Sequence, residues 1–244
     1  MNTRIASPHR ETTRLTVSTG NYRTDAAAVI FDLDGVLVDS HPQIDRALQQ
    51  WAHSRDVDLR TWRQEAHALT DPEFIALVAP HLDMKTETDA LRSIEYSLAG
   101  TTRAHRGAQQ TYGKIPHDLR CIVTSGSRST VLRRINSAKL PSPRILVAAE
   151  DVRYGKPHPE PYLLALEHLR ASATEVVVVE DSPAGARAAR AAGLAVIGIA
   201  ETESIRQNLL EEAVVDCIPD LSFLTVTPRS SQSHPDCEGA LPRD

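Results

Sequence analysis

The sequence predicts an α/β protein: a doubly wound parallel, Rossmann-like sheet core with an inserted helical cap domain. The second half of the chain alternates short apolar runs with helical segments, which is typical of strands joined by right-handed crossovers. An earlier apolar run has no polar alternation, as in a strand buried on both faces. A long helical stretch separates that run from the others. The predicted strands are 26–31, 119–123, 145–148, 176–179, 194–199 and 214–218.

The same pattern predicts the domain organisation. Residues 25–40 and 107–224 would form the core, and residues 41–106 would form the helical cap over the carboxyl ends of the strands. Inside the cap, helical spacing predicts helices that start near Pro42 and cover 62–69, 72–78 and 86–98, and it predicts no strand. Residues 1–24 and 225–244 lack apolar periodicity, so we expect two disordered tails that can be deleted without effect.

Composition limits the partners. The chain has 27 Lys+Arg against 32 Asp+Glu and a pI near 6.1, so it has no basic field that would attract nucleic acid or an anionic membrane. Small charged molecules remain possible partners, and a small phosphorylated metabolite is the one we expect. The three cysteines have no metal-ligand spacing and suit a reducing cytoplasm. No apolar run reaches the about 18 residues of a membrane span. We expect a cytoplasmic monomer, with a dimer as the alternative.

Two carboxylates end the first predicted strand. Asp32 and Asp34 are two residues apart, so in an extended chain they point to the same side, and Gly35 then allows a tight turn. At about 4 Å two such charges repel by roughly 4 kcal/mol at an effective dielectric near 20. The arrangement therefore needs a counter-cation or a raised pKa. An ordinary strand followed by an Asp-Gly turn is the alternative.

Other polar groups follow later strands. The turn Thr124-Ser125-Gly126 could hold a phosphate through hydroxyls and backbone N–H groups, or it could only cap the next helix. Lys156 lies between a glycine and a proline, where it is either a positioned cation or a solvated loop residue. Glu180 and Asp181 follow a fully apolar strand. Ligands of open parallel sheets bind beyond the carboxyl ends of the strands, and this number of carboxylates suits Mg²⁺ bridging to a substrate phosphate.

With these segments in order, the sequence resembles the haloacid dehalogenase superfamily of phosphohydrolases with a helical cap, over about residues 26–224. The resemblance rests on D-L-D-G-V-L-V-D-S, the 124–126 turn, G-K-P and E-D-S-P-A-G. It implies that Asp32 is the nucleophile, that Asp34 is the acid/base, and that Lys156 is the third catalytic residue. It implies phosphate binding by Thr124, Ser125, Gly126 and Lys156. It implies Mg²⁺ bound by Asp32, the Asp34 carbonyl and Asp181, with Glu180 acting directly or through water.

The implied reaction is Mg²⁺-dependent hydrolysis of small phosphomonoesters through an aspartyl-phosphate. The amino-acid sequences of these motifs are most similar to those of sugar- and polyol-phosphate phosphatases. Alternatives are a phosphoglycolate phosphatase, a β-phosphoglucomutase-like phosphotransferase, in which a histidine is expected where this chain has Ile44, and a receiver-type phosphoacceptor module. The cap is expected to choose the substrate through polar side chains of two segments, namely His67, Thr70, Asp71, Arg103, His105 and Arg106.

Overall fold

A computed structural model describes residues 13–59 and 68–229. Its strands are β1 (Arg14–Ser18), β2 (Arg23–Ala26), β3 (Ala28–Phe31), β4 (Val38–Asp39), β5 (Arg103–Ala104), β6 (Arg120–Val123), β7 (Leu146–Val147), β8 (Val176–Glu180), β9 (Ala195–Ile199), β10 (Asp216–Ile218) and β11 (Thr225–Arg229). The α-helices in these ranges are α1 (His41–His53), α2 (Asp71–Val78), α3 (Met84–Ala99), α4 (Ala108–Lys114), α5 (Arg128–Ser137), α6 (Glu160–Leu169), α7 (Pro183–Ala191) and α8 (Glu203–Glu211).

Six strands form the central parallel sheet in the order β10-β9-β8-β3-β6-β7. The first strand of this sheet, β3, lies in its interior, and the chain winds outwards from it in both directions. This topology confirms the predicted doubly wound α/β core. The sheet is covered on both faces, because alternate residues of β3 enter different buried clusters: Val29 and Phe31 face one, and Ala28 and Ile30 face the other.

The helices inserted between β4 and β5 have a hydrophobic cluster of their own that includes Trp51, Phe74 and Leu91. The rings of Trp51 and Phe74 meet edge to face with centroids 6.0 Å apart. Helices α1, α2 and α3 agree closely with the predicted ones. The helix predicted at 62–69 lies mostly outside the described residues, and its last two residues are not helical.

Two short strands join the cap to the core. β4 and β5 pair antiparallel, with Val38 opposite Ala104 and Asp39 opposite Arg103. The prediction of no strand within 41–106 is therefore wrong at 103–104. The physical reason is that the chain enters and leaves the cap side by side, so the two connections satisfy each other's backbone groups. A two-residue pairing of this kind leaves no periodic signal in the sequence.

The prediction of two disordered tails is also wrong for the described residues outside the core. β1 pairs with β2 and with β11, forming a three-stranded antiparallel sheet in the order β11-β1-β2. Leu15 and Val17 are fully buried and join the main core cluster together with Val226. The alternation of apolar and polar residues in β1 is short, and its partner strand lies some two hundred residues away, so local periodicity did not reveal the pairing. Residues 1–12 and 230–244 lie outside the described part of the chain.

The terminal sheet should contribute to stability. Replacing Leu15 by Ala removes a fully buried side chain, and we expect it to lower the free energy of unfolding by about 2–5 kcal/mol. Urea or thermal unfolding would measure the loss. The control is Leu163→Ala on α6, where the leucine is 45% exposed and the change should be much smaller. Equal stabilities of the two variants would show that the terminal sheet adds nothing to the core.

Candidate active site

The carboxyl edge of the central sheet gathers three buried polar residues. β6 and β8 flank β3 in parallel register, so the three strands end at one edge. Asp32 follows β3, Thr124 follows β6, and Glu180 is the last residue of β8. The backbone N–H of Asp32 donates to the carbonyl of Val179 at 2.9 Å, which extends the hydrogen-bond ladder to Asp32. All three side chains are buried. Parallel pairing thus assembles residues that are far apart in sequence.

Lys156 is the positive charge between two of these groups. Its Nζ donates hydrogen bonds to Asp32 Oδ1 and to Glu180 Oε1, and its side chain is almost fully buried. Burial opposes the charge on the amine, but the two carboxylates outweigh burial and raise the pKa of Lys156 above its usual range. Lys156 therefore stays protonated in the folded protein. In the structure Lys156 is a positioned cation and not a solvated loop residue.

Glu180 is the buried counter-ion of Lys156. Its Oε1 also accepts from the Tyr162 hydroxyl at 2.8 Å, and its Oε2 accepts from the N–H and the hydroxyl of Ser182, each at 3.0 Å. Burial acts to raise the pKa of Glu180, but Lys156 and these donors bring it below its usual value. A Cβ at Gly185 would lie 1.8 Å from Oε1. Both carboxylate oxygens already have hydrogen-bond partners, and Oε1 is the one that binds Lys156. A role of Glu180 at a metal, directly or through water, stays a prediction.

Asp181 lies against the turn that follows β3. Its Oδ2 is 3.4 Å from Nε2 of His41, and a Cβ at Gly35 would lie 2.0 Å from the same oxygen. Gly35 also has φ +80°, so both its conformation and this close approach require glycine. Burial raises the pKa of Asp181 well above its usual value, and the charges of Glu180 and Asp32 raise it further. Burial and the neighbouring carboxylates therefore oppose ionisation of Asp181.

Asp32 is subject to the same effect. Burial raises the pKa of its carboxyl well above the usual value; Lys156 opposes the rise, while Glu180 and Asp34 add to it. A nucleophilic carboxylate must be ionised. Since Lys156 is shared with Glu180, Asp32 needs a further positive charge to be ionised at neutral pH.

The donor set fits Mg²⁺. Mg²⁺ binds through one or two carboxylates and keeps several water or phosphate ligands, and Asp32 and Asp181 supply two carboxylates with the Asp34 carbonyl expected as a third donor. Within 13–59 and 68–229, side chains of His, Cys, Asp and Glu alone form no group of three that could hold a metal. The predicted set of Asp32, Asp34, Glu180 and Asp181 therefore stays a prediction, with the Asp34 contribution limited to its backbone.

The carboxylate of Asp34 is held by a residue that the sequence reasoning missed. Nη1 of Arg134 lies 3.0 and 3.1 Å from the two oxygens of Asp34. The hydroxyl of Ser40 donates to Oδ1 at 2.6 Å, and that of Thr124 lies 3.4 Å from Oδ2. Arg134 is 1% exposed, so its charge is offset by buried carboxylates instead of by water. The acid/base candidate is thus oriented by an arginine from α5.

A signal for Arg134 was present in the sequence. On α5 the buried positions Val131, Arg134 and Ile135 follow helical spacing, which places an arginine on the apolar face. On α3 the buried positions Leu91, Glu95 and Ala99 show the same pattern, with a glutamate on the apolar face. A charged residue at a core-facing helical position is rarely buried without a partner, so each stripe indicates a buried charged residue that needs a partner elsewhere in the fold. Arg134 Nη2 lies 3.6 Å from Glu95 Oε1.

The 124–126 turn contacts both the core site and the cap. The hydroxyl of Thr124 accepts from the backbone N–H of Gly126 at 3.1 Å, and the hydroxyl of Ser125 donates to the carbonyl of Ala68 at 2.7 Å. The cap is therefore closed over the strand ends. A cavity of about 20 Å³ remains beside Asp32, enough for about one water molecule. Phosphate binding by Thr124, Ser125 and Gly126 stays a prediction. The other residues that line this catalytic cavity are Asp34, His41, Ala68, Thr124, Ser125, Lys156, Asp181 and Ser182.

The cap residues expected to face the substrate have different contacts in the structure. Asp71 is buried, accepts from Arg92 Nε at 3.0 Å and lines a second cavity beside Asp34. The Thr70 hydroxyl donates to Glu73 within the α2 capping box. His67 lies outside the described residues.

The second expected segment is placed wrongly by the prediction. His105 Nε2 lies 3.0 Å from Glu201, and Arg106 is 80% exposed on its side chain and lies 3.7 Å from Asp220. Arg103 is exposed in β5. Neither cavity is lined by residues 103–106. The reason is the β4–β5 pairing, which fixes this segment at the junction of cap and core.

The chain is similar to known proteins. Hexitol phosphatase A of Escherichia coli (strain K12) is 35% identical over 178 residues, which cover 70% of this chain and 81% of that protein. Glycerol-1-phosphate phosphohydrolase 1 of Saccharomyces cerevisiae is 28% identical over 206 residues, covering 78% and 80%. A hydrolase structure from Pseudomonas syringae matches with a TM-score of 0.71 at 23% identity, covering 80% of this chain and 94% of that one, and shows the fold alone.

A Bacteroides vulgatus structure, named provisionally as a beta-phosphoglucomutase, matches with a TM-score of 0.67 at 29% identity, covering 80% and 84%. The family described as haloacid dehalogenase-like hydrolases matches residues 29–199. This range starts in β3, ends with β9, and includes every strand end that carries a candidate catalytic group. The chain therefore belongs to the haloacid dehalogenase-like hydrolases.

Proposed function

We propose that this phosphoric monoester hydrolase acts on phosphate esters of small sugars or polyols through a phosphorylated Asp32. The observation that carries the proposal is the buried Asp32 held by Lys156, with Asp34 two residues on and held by Arg134. Relatives named for hexitol, glycerol-1-phosphate and carbohydrate phosphates support the substrate class. The catalytic cavity of about 20 Å³ under a closed cap favours small substrates.

In the first step, a carboxylate oxygen of Asp32 attacks phosphorus in line as the bond from phosphorus to the ester oxygen breaks. Asp34 donates its proton to the departing alcohol oxygen. In the second step, Asp34 takes a proton from water, the water oxygen bonds to phosphorus, and the Asp32 oxygen leaves. Lys156 neutralises charge on the transferred group, and the 124–126 turn orients its oxygens. Positioning and charge neutralisation supply most of the acceleration in phosphoryl transfer.

Asp32, Asp181 and the Asp34 carbonyl would hold Mg²⁺. Bound there, the ion would supply positive charge to the phosphate oxygens and lower the proton affinity of Asp32.

We infer no membrane or nucleic-acid partner from the charge balance, and a cytoplasmic monomer stays our expectation. None of the helices in 13–59 or 68–229 is long and apolar enough to cross a bilayer. The buried thiols of Cys121 and Cys217 are free, which agrees with a reducing compartment.

A phosphotransferase of the β-phosphoglucomutase kind is the second candidate, because one structural neighbour has that provisional name. Ile44 occupies the position where a histidine is expected in that subgroup, and it is buried in the cap cluster. Free phosphate as the product identifies the hydrolase, and a rearranged sugar phosphate identifies the transferase.

Replacing Asp32 by Asn removes the nucleophile. We expect phosphate release from a polyol phosphate to fall more than ~100-fold, because no carboxylate remains to be phosphorylated. Chelation with EDTA should inactivate the wild type, and Mg²⁺ should restore it. Asp89→Asn on the exposed side of α3 is the matched control and should keep full activity. A normal rate in Asp32→Asn, or in chelated enzyme, would remove the nucleophile or the metal from the mechanism.

Replacing Asp34 by Asn tests the acid role separately. Alkyl phosphates need a proton on the departing oxygen, so their kcat should fall by about 100-fold or more. p-Nitrophenyl phosphate has a good leaving group and should lose considerably less in its first step. The measurement is kcat for both substrates, with burst kinetics to separate the two steps. Equal losses in the phosphorylation step would exclude Asp34 as the general acid.

A further inference from the structure

A second small cavity borders Asp34 but is not lined by Asp32. It has a volume of about 30 Å³ and shares Asp34 and Ser125 with the catalytic cavity. This leaving-group cavity has a polar side and an apolar side. The polar side comprises Asp34, Asp71, Glu95, Ser125, Gly126 and Arg134, and the apolar side comprises Ile44, Leu48, Leu69, Phe74 and Leu91. The volume exceeds the roughly 10–15 Å³ that a single water needs, so a hydroxyl group fits.

Glu95 has an open hydrogen-bonding position in this cavity. The residue is 6% exposed, and among the residues that the structure describes its Oε2 has no hydrogen-bond partner. Burial raises the pKa of Glu95 to about 8, and the nearby charge of Asp71 contributes. A carboxyl with that pKa is mostly protonated at neutral pH, so it can donate a hydrogen bond as well as accept one. Buried polar atoms of this kind are normally satisfied, so Oε2 is available to bind a polar group that enters the cavity.

Arg134 fixes Glu95 relative to the acid. Its Nη1 binds Asp34, and its Nη2 lies 3.6 Å from Glu95 Oε1. One planar guanidinium thus sets the separation of the two carboxyl groups. The departing oxygen of a substrate must meet Asp34, so the carbons attached to that oxygen point into the leaving-group cavity. Its apolar side suits a carbon chain, and its polar side suits the hydroxyls on that chain.

We propose that Glu95 binds a hydroxyl group of the leaving alcohol, with Arg134 as the positioning residue, so that the enzyme selects polyol phosphates over alkyl phosphates of the same length. This inference rests on the proposed phosphatase function. A site with buried polar groups discriminates strongly against an analogue that leaves them unpaired. The selectivity would therefore arise from a cap residue on α3 and a core residue on α5, which lie 3.6 Å apart.

The test compares glycerol phosphate with n-propyl phosphate, which has the same three-carbon chain and no hydroxyls. We expect wild-type kcat/KM to favour glycerol phosphate by about tenfold or more. Glu95→Met keeps the volume and removes the hydrogen-bonding group, so it should bring the ratio of the two kcat/KM values close to unity. Glu95→Gln keeps a donor and an acceptor and should lose less of the ratio than Glu95→Met.

The matched control is Thr88→Val. Thr88 is buried on the same helix, but it lines neither cavity, so the substrate ratio should stay at the wild-type value. If Glu95→Met keeps the wild-type ratio, or if Thr88→Val lowers the ratio equally, Glu95 is not the hydroxyl-binding residue. Phosphate release from both substrates at equal efficiency in the wild type would overturn the subsite and leave the phosphatase standing. Release from neither would overturn the proposed function itself.

Discussion

The ion pair of Lys156 with Asp32 and Glu180 is the interaction on which the rest of the site depends. All three groups are buried, and charges removed from water are stable only when paired and hydrogen-bonded. The surrounding residues meet that need: Tyr162 and Ser182 satisfy Glu180, and the Gly185 backbone approaches where no side chain could fit. The sheet therefore does more than carry Asp32. It also fixes a cation beside Asp32, and Glu180 prevents Lys156 from relaxing towards solvent.

Much of this core could be predicted because it is encoded locally. β3 and β8 are continuous apolar runs that end in acidic residues, and parallel pairing necessarily brings such ends to one edge. The sequence therefore located Asp32, Thr124, Lys156 and Glu180 without any tertiary information. It could not assign the carboxylates individually. Only the contacts show that Glu180 is engaged with Lys156 and that the Asp34 carboxylate is engaged with Arg134.

The features that could not be predicted have one physical cause: each depends on a partner that lies far away in the sequence. β1 and β11 are near opposite ends of the chain, and each becomes a stable strand only in the presence of the other. Arg134 and Glu95 lie on helices that are far apart in the sequence. Each is a charged residue on an otherwise apolar helix face, and only the presence of the other explains why it is buried there. The cap segment 103–106 was misplaced for a similar reason, since its position depends on backbone pairing with β4. Local periodicity contains no information on such partners.

Polar contacts at the rim of the site join the cap to the core. Ser125 donates to the carbonyl of Ala68, Gly155 N–H donates to Glu73 at 2.8 Å, and Arg92 lies 3.7 Å from Glu150. Such contacts near solvent contribute only about 0.5–1.5 kcal/mol each. The two sides also meet in the interior, where Arg134 on α5 lies 3.6 Å from Glu95 on α3 and both side chains are buried. Removing the partner of a buried charged group costs more than losing a rim contact. The buried contact therefore opposes separation of cap and core more than the rim contacts do, and it links the residue proposed to recognise the leaving group to the arginine that holds Asp34.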